Sequence, residues 1–347
     1  MSKTRQRRTS MLMFWGALAA VVIAVLGLAA LTSHTLAERS KRAKAERRQC
    51  RFRGDVEPHH GMVWIPGGAY EQGDNFYPEE QPIVQARVTG FWMDAHEVTN
   101  AEFAAFVKAT GYVTQAERPV DPATHPGLPP DMLQSGAVVF FMPKHIDGTE
   151  NISQWWHYVP GANWRHPAGP GSSISNRENY PVVEVTHADA VQYARWQHRA
   201  LPTEAEWEWA ARGGNPKAYL DHDQPKNANT WQGIFPVVNS GADGFVGLAP
   251  SGCYPPNAYG LYDMIGNVWE LTNDIYQPSH GGDPAPDQAI TRDENVLRYT
   301  IKGGSFLCAP NYCARYRSGA REGQEADLAM SHLGFRTILR MRNSSAP

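Results

Sequence analysis

The sequence predicts an irregular, loop-rich α+β fold behind a single N-terminal transmembrane helix. Three observations carry that expectation. The 347 residues include 31 glycines and 26 prolines, about a sixth of the chain, where an ordinary globular protein has roughly 12%. The strands and helices that can be read are short and separated by long stretches with no hydrophobic period. Residues 11–31 carry no charge. The length suffices for a large domain with a buried core. The 11 Trp, 14 Tyr and 12 Phe supply large apolar bodies with polar handles, suited to a core of irregular segments or to a peptide-binding groove.

Residues 1–10 form a basic tail, and residues 11–31 are long enough to cross a bilayer as a helix. A cleavable signal sequence is the rival, with Thr35-Leu36-Ala37 as a small-residue cleavage site. Its apolar region usually spans roughly 7 to 15 residues, shorter than this run. The expectation is therefore a membrane anchor with an exported, periplasmic or luminal, domain; secretion after cleavage is the alternative. Basic residues flank the run on both sides, so charge does not set its orientation. Residues 32–60 read as a charged linker. It contains Cys50, which could pair with Cys253, stay free or carry a lipid. The net charge of −3 conceals an asymmetry, because residues 1–54 carry about +10 and the remainder about −13. An acidic main domain argues against nucleic acid as a partner, since that needs a basic footprint.

The main domain is expected over residues 61–343. Met62-Val63-Trp64-Ile65 reads as a strand closed by Pro66-Gly67, and Val84 to Met93 as the next strand candidate. Thr99-Asn100-Ala101-Glu102 is a capping box, with Phe103, Phe106 and Val107 at helical spacing and Gly111 as the stop. Residues 112–180 show little periodicity and read as a long loop, with Trp155, Trp156 and the run Gly161 to Pro167 as candidate peptide contacts. A second helix follows Thr186. A third follows Thr203, whose Glu206 completes another capping box, and runs towards Gly213-Gly214.

The chemistry concentrates in Ile301 to Arg317, I-K-G-G-S-F-L-C-A-P-N-Y-C-A-R-Y-R. Cys308 and Cys313 stand with Ser305, Tyr312, Arg315 and Arg317 close by. Two thiolates with no further Cys or His in the run suit a low-coordinate Cu(I), since zinc wants four ligands. A reactive thiol beside a resolving partner, a structural disulfide and two buried free thiols are the other readings of the pair. His145 with Asp147, and His187 with Asp189, could each seed a non-haem iron site, although Asp189 is more simply a first-turn helix residue. No phosphate loop, nucleophile elbow or H-E-x-x-H motif is present.

The pattern G-G-S-F-x-C-x-x-x-Y-C-x-R-Y-R, followed by Leu333-Gly334-Phe335-Arg336, resembles the C-terminal signature of the formylglycine-generating enzymes, the sulfatase-modifying factors. The likeness extends over roughly residues 61–340, and Leu201 to Glu208 looks like a hallmark of the wider superfamily. The resemblance implies an irregular, C-type lectin-like α+β domain. It further implies an oxidase that holds Cu(I) between Cys308 and Cys313. The implied reaction uses molecular oxygen and a thiol reductant to convert the cysteine of a C-x-P-x-R motif in an unfolded sulfatase polypeptide to formylglycine. By motif position, Ser305 and Tyr312 would hydrogen-bond oxygen species or the substrate sulfur, and Trp269 would wall the pocket. Ser318 and Thr337, and likewise Ala211, stand where some members of that family place a structural crosslink.

The same resemblance implies two structural Ca2+ sites. The first would use Asn229, Asp243 and the carbonyls of Thr230 and Phe245. The second would use Asp263 and Glu270 with the carbonyls of Gly266 and Val268. Mixed carboxylate, amide and carbonyl oxygens are what calcium takes; an Asp-Gly hairpin turn at Asp243-Gly244 is the plain alternative. Two other functions stay open: a non-catalytic binding protein of the same fold whose cysteines form a disulfide, and a related oxidase acting on another peptide.

Overall fold

The computed structural model describes residues 50, 61–123, 125–217, 222–280 and 296–341. The expected membrane span at residues 11–31 and nearly all of the linker lie outside these residues. Among the described residues, no helix is long and apolar enough to cross a membrane.

Thirteen short strands and three helices make up the described part of residues 61–341. In chain order the strands begin with β1 (Met62–Ile65), β2 (Gly68–Gln72), β3 (Val84–Val88) and β4 (Phe91–Asp94). They continue with β5 (Gly136–Phe140), β6 (Trp156–Pro160), β7 (Gly233–Ile234), β8 (Val238–Asn239) and β9 (Trp269–Ile275). The last four are β10 (Arg298–Lys302), β11 (Arg321–Glu325), β12 (Leu333–Gly334) and β13 (Ile338–Arg340). The helices are α1 (Asn100–Thr110), α2 (His187–Trp196) and α3 (Glu204–Ala211). Strands β1, β4 and β13 form one antiparallel sheet; β11, β10, β9 and β12 form another, in which β12 runs parallel to β9. Three two-stranded ribbons, β2–β3, β5–β6 and β7–β8, complete the set. The loop-rich α+β expectation holds for this part of the chain.

Each helix starts where its cap dictates. Thr99 Oγ1 accepts the Glu102 amide at 3.3 Å while Glu102 Oε2 accepts the Thr99 amide at 2.7 Å. Thr186 with Asp189 and Thr203 with Glu206 repeat the device. Helix α1 ends at Gly111, whose φ of 69° is the left-handed cap that glycine adopts without strain. Helix α3 stops at Ala211, short of Gly213-Gly214, where its C-cap Arg212 is held by Glu208.

Three sequence expectations need correction. Val84 to Met93 is two strands in different sheets, because Thr89-Gly90 turns the chain between β3 and β4. Residues 112–180 are not one loop, since β5 and β6 pair over Gly136–Phe140 and Trp156–Pro160. Their alternation was hidden because Trp156 and Tyr158 are only half-buried. The iron reading also falls at His187. Its ring stacks on Tyr299 at 3.4 Å, while Asp189 caps Thr186 and accepts from Tyr112 Oη.

The main core gathers the apolar faces of α1 and α2, Phe103, Phe106 and Tyr193, with Trp269 of β9 and Phe335, and it includes Cys308. Beside it runs a buried ionic network. Lys302 Nζ lies 2.9 Å from Glu208 and 3.4 Å from Glu204, and Arg321 grips Glu204 at 2.8 and 3.0 Å. Burial pushes the Glu204 carboxyl up, but Lys302, His280 and Arg321 together hold it below its ordinary value.

Glu184 has no such partners. It is fully buried at a left-handed φ of 58°, and neither carboxylate oxygen meets a hydrogen-bond donor. Burial raises its pKa well above the usual range. A folded pKa above the unfolded value of roughly 4.3 leaves stability intact in acid and erodes it as pH rises through that window. Glu184→Leu is therefore expected to stabilise the protein at pH 8 by about 2 kcal/mol and to flatten the fall in melting temperature between pH 5 and 8. Equal melting curves for the two proteins at pH 8 would refute this.

Candidate active site

Strand β10 delivers the chain into Gly303 and Gly304, both at positive φ. A Cβ on Gly304 would lie 2.6 Å from the Arg315 carbonyl and 3.2 Å from Cys308 Sγ, so the G-G-S run is a steric requirement of this approach. Ser305 then accepts the Cys308 amide on its carbonyl at 2.9 Å, and its own N–H points at Cys308 Sγ at 3.4 Å. One further helical turn, Cys313 N–H to Ala309 O at 2.9 Å, brings the second cysteine back over the first.

The two sulfurs are 3.3 Å apart, well beyond the roughly 2.05 Å of a disulfide. Both are free thiols, whereas Cys253 is disulfide-bonded, as is Cys50. The reading of Cys308 and Cys313 as a structural disulfide is thereby corrected. Cys308 is buried and Cys313 half-buried. Burial pushes the Cys308 thiol up. Cys313 moves down, chiefly because Cys308 hydrogen-bonds to it, with Arg315 assisting at 3.8 Å. Of the two, the outer sulfur therefore gives up its proton more readily.

These sulfurs lie at one end of a cavity of about 400 Å³. Ser305, Tyr312 and Trp269 line it with both cysteines, so all five residues expected to be catalytic converge on one site. Tyr312 stacks on Phe235 at 4.5 Å and meets Trp155 edge-on. Trp269 is anchored by its amide, which donates to the His332 carbonyl at 2.8 Å. The segment Asp74–Glu80 clamps the far side. Tyr77 Oη accepts the Ala314 amide at 3.1 Å, Glu79 holds Arg315, and Asp74 with Glu80 holds Arg317.

His332 and Glu322 also line the cavity and were not singled out by sequence, as does Trp156, which was expected as a peptide contact. His332 precedes the Leu333-Gly334-Phe335-Arg336 run, and that adjacency was the available signal. Of the two tryptophans expected as peptide contacts, Trp156 reaches the cavity. Its neighbour Trp155 is core, as is Trp164, which carries Arg165 stacked on its ring at 4.1 Å.

Residues 50–341 match the profile of the sulfatase-modifying factor enzyme 1-like domain. The chain belongs to the formylglycine-generating enzyme family. It is 50% identical over 289 residues to the formylglycine-generating enzyme of Mycobacterium tuberculosis, covering 80% of this chain and 97% of that protein. The Mus musculus formylglycine-generating enzyme is 42% identical, covering 79% and 74% of the two chains. An inactive C-alpha-formylglycine-generating enzyme 2 from Mus musculus matches at 38% over 79% and 84%. Among solved structures, that of PvdO from Pseudomonas aeruginosa aligns with a TM-score of 0.54 at 23% identity, covering 82% of this chain and 96% of that one, a likeness of fold alone. The likeness thus extends both to enzymes and to a protein named as inactive.

The two segments that resemble the family's calcium sites are both buried in part, and their carboxylates already have protein partners. In the first, Asp243 accepts the amides of Thr230 and Phe245 at 3.0 and 3.2 Å, and Asn229 lies buried beside them. In the second, Glu270 is already held by Arg336, with two contacts of 2.7 Å, and by Trp207 Nε1 at 2.8 Å. Asp263 accepts the Gly252 amide. Glu97, absent from the sequence expectation, belongs here: it is fully buried, its Oε2 has no partner, and burial raises its pKa, as it does that of Asp263. Among the described residues no three His, Cys, Asp or Glu side chains converge as a metal cluster. A cation here would draw on main-chain carbonyls, including those of Gly266 and Val268. Asn267 links the two segments, bonding Asn229 and Glu97 at 2.9 Å each, and its carbonyl accepts the Phe306 amide of the cysteine loop at 3.0 Å.

Proposed function

We propose that this protein converts the cysteine of a C-x-P-x-R motif in an unfolded sulfatase polypeptide to formylglycine, with molecular oxygen as oxidant, a thiol as reductant and Cu(I) held by Cys308 and Cys313. The chain is an enzyme of sulfatase maturation. The observation that carries the finer reading is two unbridged thiols 3.3 Å apart in an open cavity. The donor set fits the metal, because two soft sulfurs suit Cu(I), for which the hard carboxylate of Glu322 in the same cavity is a poor ligand, and leave room for a further ligand. Bound copper supplies redox chemistry with oxygen and a soft site for a third sulfur.

The protein groups do the rest. Cys308 fixes the floor while Cys313 faces the visitor. Arg315 offsets negative charge gathering on sulfur, and Glu79 at 3.0 Å keeps it there. Phe235, Trp156 and Trp269 wall the cavity with apolar surface. Ser305 and Tyr312 offer hydroxyl groups within the same cavity. The test is mass spectrometry of a synthetic C-x-P-x-R peptide incubated with copper-loaded protein, oxygen and dithiothreitol. Conversion of its cysteine to the aldehyde supports the reading; an unchanged peptide contradicts it.

Two further parts of the reading concern the surroundings of the site. The uncharged run at residues 11–31 would anchor an exported catalytic domain. Calcium would neutralise the buried carboxylates Glu97 and Asp263, since Arg336 already serves Glu270. A ligand at a hundred times its dissociation constant stabilises by about 2.7 kcal/mol. Chelation with EGTA is expected to lower the melting temperature by roughly 5–10 °C, restored by Ca2+ and not by Mg2+. No change on chelation would remove calcium from the account.

A further inference from the structure

We propose that His332 carries its proton on Nδ1 and so makes the Ser305 hydroxyl an obligate hydrogen-bond donor to the cavity. A serine hydroxyl has one proton and two lone pairs. The Leu307 amide takes one lone pair of Ser305 Oγ at 3.2 Å, and His332 Nδ1 stands 3.4 Å from the same oxygen. If Nδ1 were bare, Ser305 would spend its proton on the ring and show the cavity a lone pair. If Nδ1 bears hydrogen, both lone pairs are filled and only the proton remains to face the cavity. The second arrangement matches the floor, where Cys308 Sγ is already an acceptor for the Ser305 amide.

The ring is fixed for this role. The His332 carbonyl accepts the Trp269 amide at 2.8 Å, and the edge of the ring meets Trp156 at 4.7 Å. Burial keeps the imidazole neutral at working pH, with a pKa of about 3, so one ring nitrogen alone carries hydrogen. His332 is thus a positioning residue that acts through Ser305. This deepens the proposed reaction, but the tautomer can be measured without turnover, so failure of one does not disguise failure of the other.

The experiment is nitrogen-15 NMR of the imidazoles in histidine-labelled full-length protein, with the His332 signal assigned by its loss in His332→Asn. The expected result is a neutral ring protonated on Nδ1 that moves towards the Nε2 tautomer in Ser305→Ala. A ring protonated on Nε2 in the unaltered protein overturns the proposal. In the peptide assay, Ser305→Ala and His332→Leu are each expected to lower kcat about tenfold with little change in KM. The double variant should fall no further than the worse single one, and His332→Asn, whose amide can donate, should recover part of the loss. Additive losses overturn it.

Discussion

Cys308→Ser is expected to lower peptide conversion by at least about a thousandfold, equivalent to roughly 4 kcal/mol of transition-state stabilisation, while the protein stays folded. Serine is close to cysteine in size, and the backbone bonds that build the turn, Cys308 N–H to Ser305 O and Cys313 N–H to Ala309 O, do not involve the sulfur. What is lost is a soft ligand. A hydroxyl is a poor donor for a monovalent soft ion, so Cys313 alone would have to retain the metal. Cys313→Ser should be equally inactive, although Cys313 is more exposed, because the pair acts as a unit. The check is the peptide assay with melting temperatures measured alongside. Substantial conversion by either variant would mean that the reaction does not run through the paired sulfurs.

Arg336→Met is expected to be the most destabilising single substitution considered, costing about 3–5 kcal/mol and lowering the melting temperature by about 10 °C. Arg336 is fully buried and holds Glu270 through Nε and Nη2 of one guanidinium edge, while also donating to the carbonyls of Asp94 and Tyr262. Removing it leaves the buried Glu270 side chain with only Trp207 Nε1 to serve it, beside two carboxyls that burial already pushes up. Thermal unfolding of the full-length variant checks this. A melting temperature within a degree of the parent would show that the carboxyls shed their charge without cost.

Much of this site could be read before any coordinates. Both cysteines, Ser305 and Tyr312 lie in one run, and a local turn is enough to bring them together. The helix starts were equally legible, since Thr99, Thr186 and Thr203 announce them through side-chain bonds made within three residues. What sequence could not supply was long-range. His332 reaches Ser305 only because β12 pairs with β9, and nothing local marks a two-residue parallel strand. Glu97 joins the second acidic segment across 170 positions through Asn267. The β5–β6 ribbon escaped because its half-exposed aromatics, Trp156 and Tyr158, blur the alternation that identifies a strand.

The most direct measurement is titration of the reduced full-length protein with Cu(I) in competition with a chromogenic chelator, carried out in parallel on Cys308→Ser and Cys313→Ser. One tightly held equivalent in the parent protein, and none in either variant, is the predicted result. Copper retained undiminished by both variants, or never bound by the parent, would contradict the claim that this sulfur pair is the metal-binding centre.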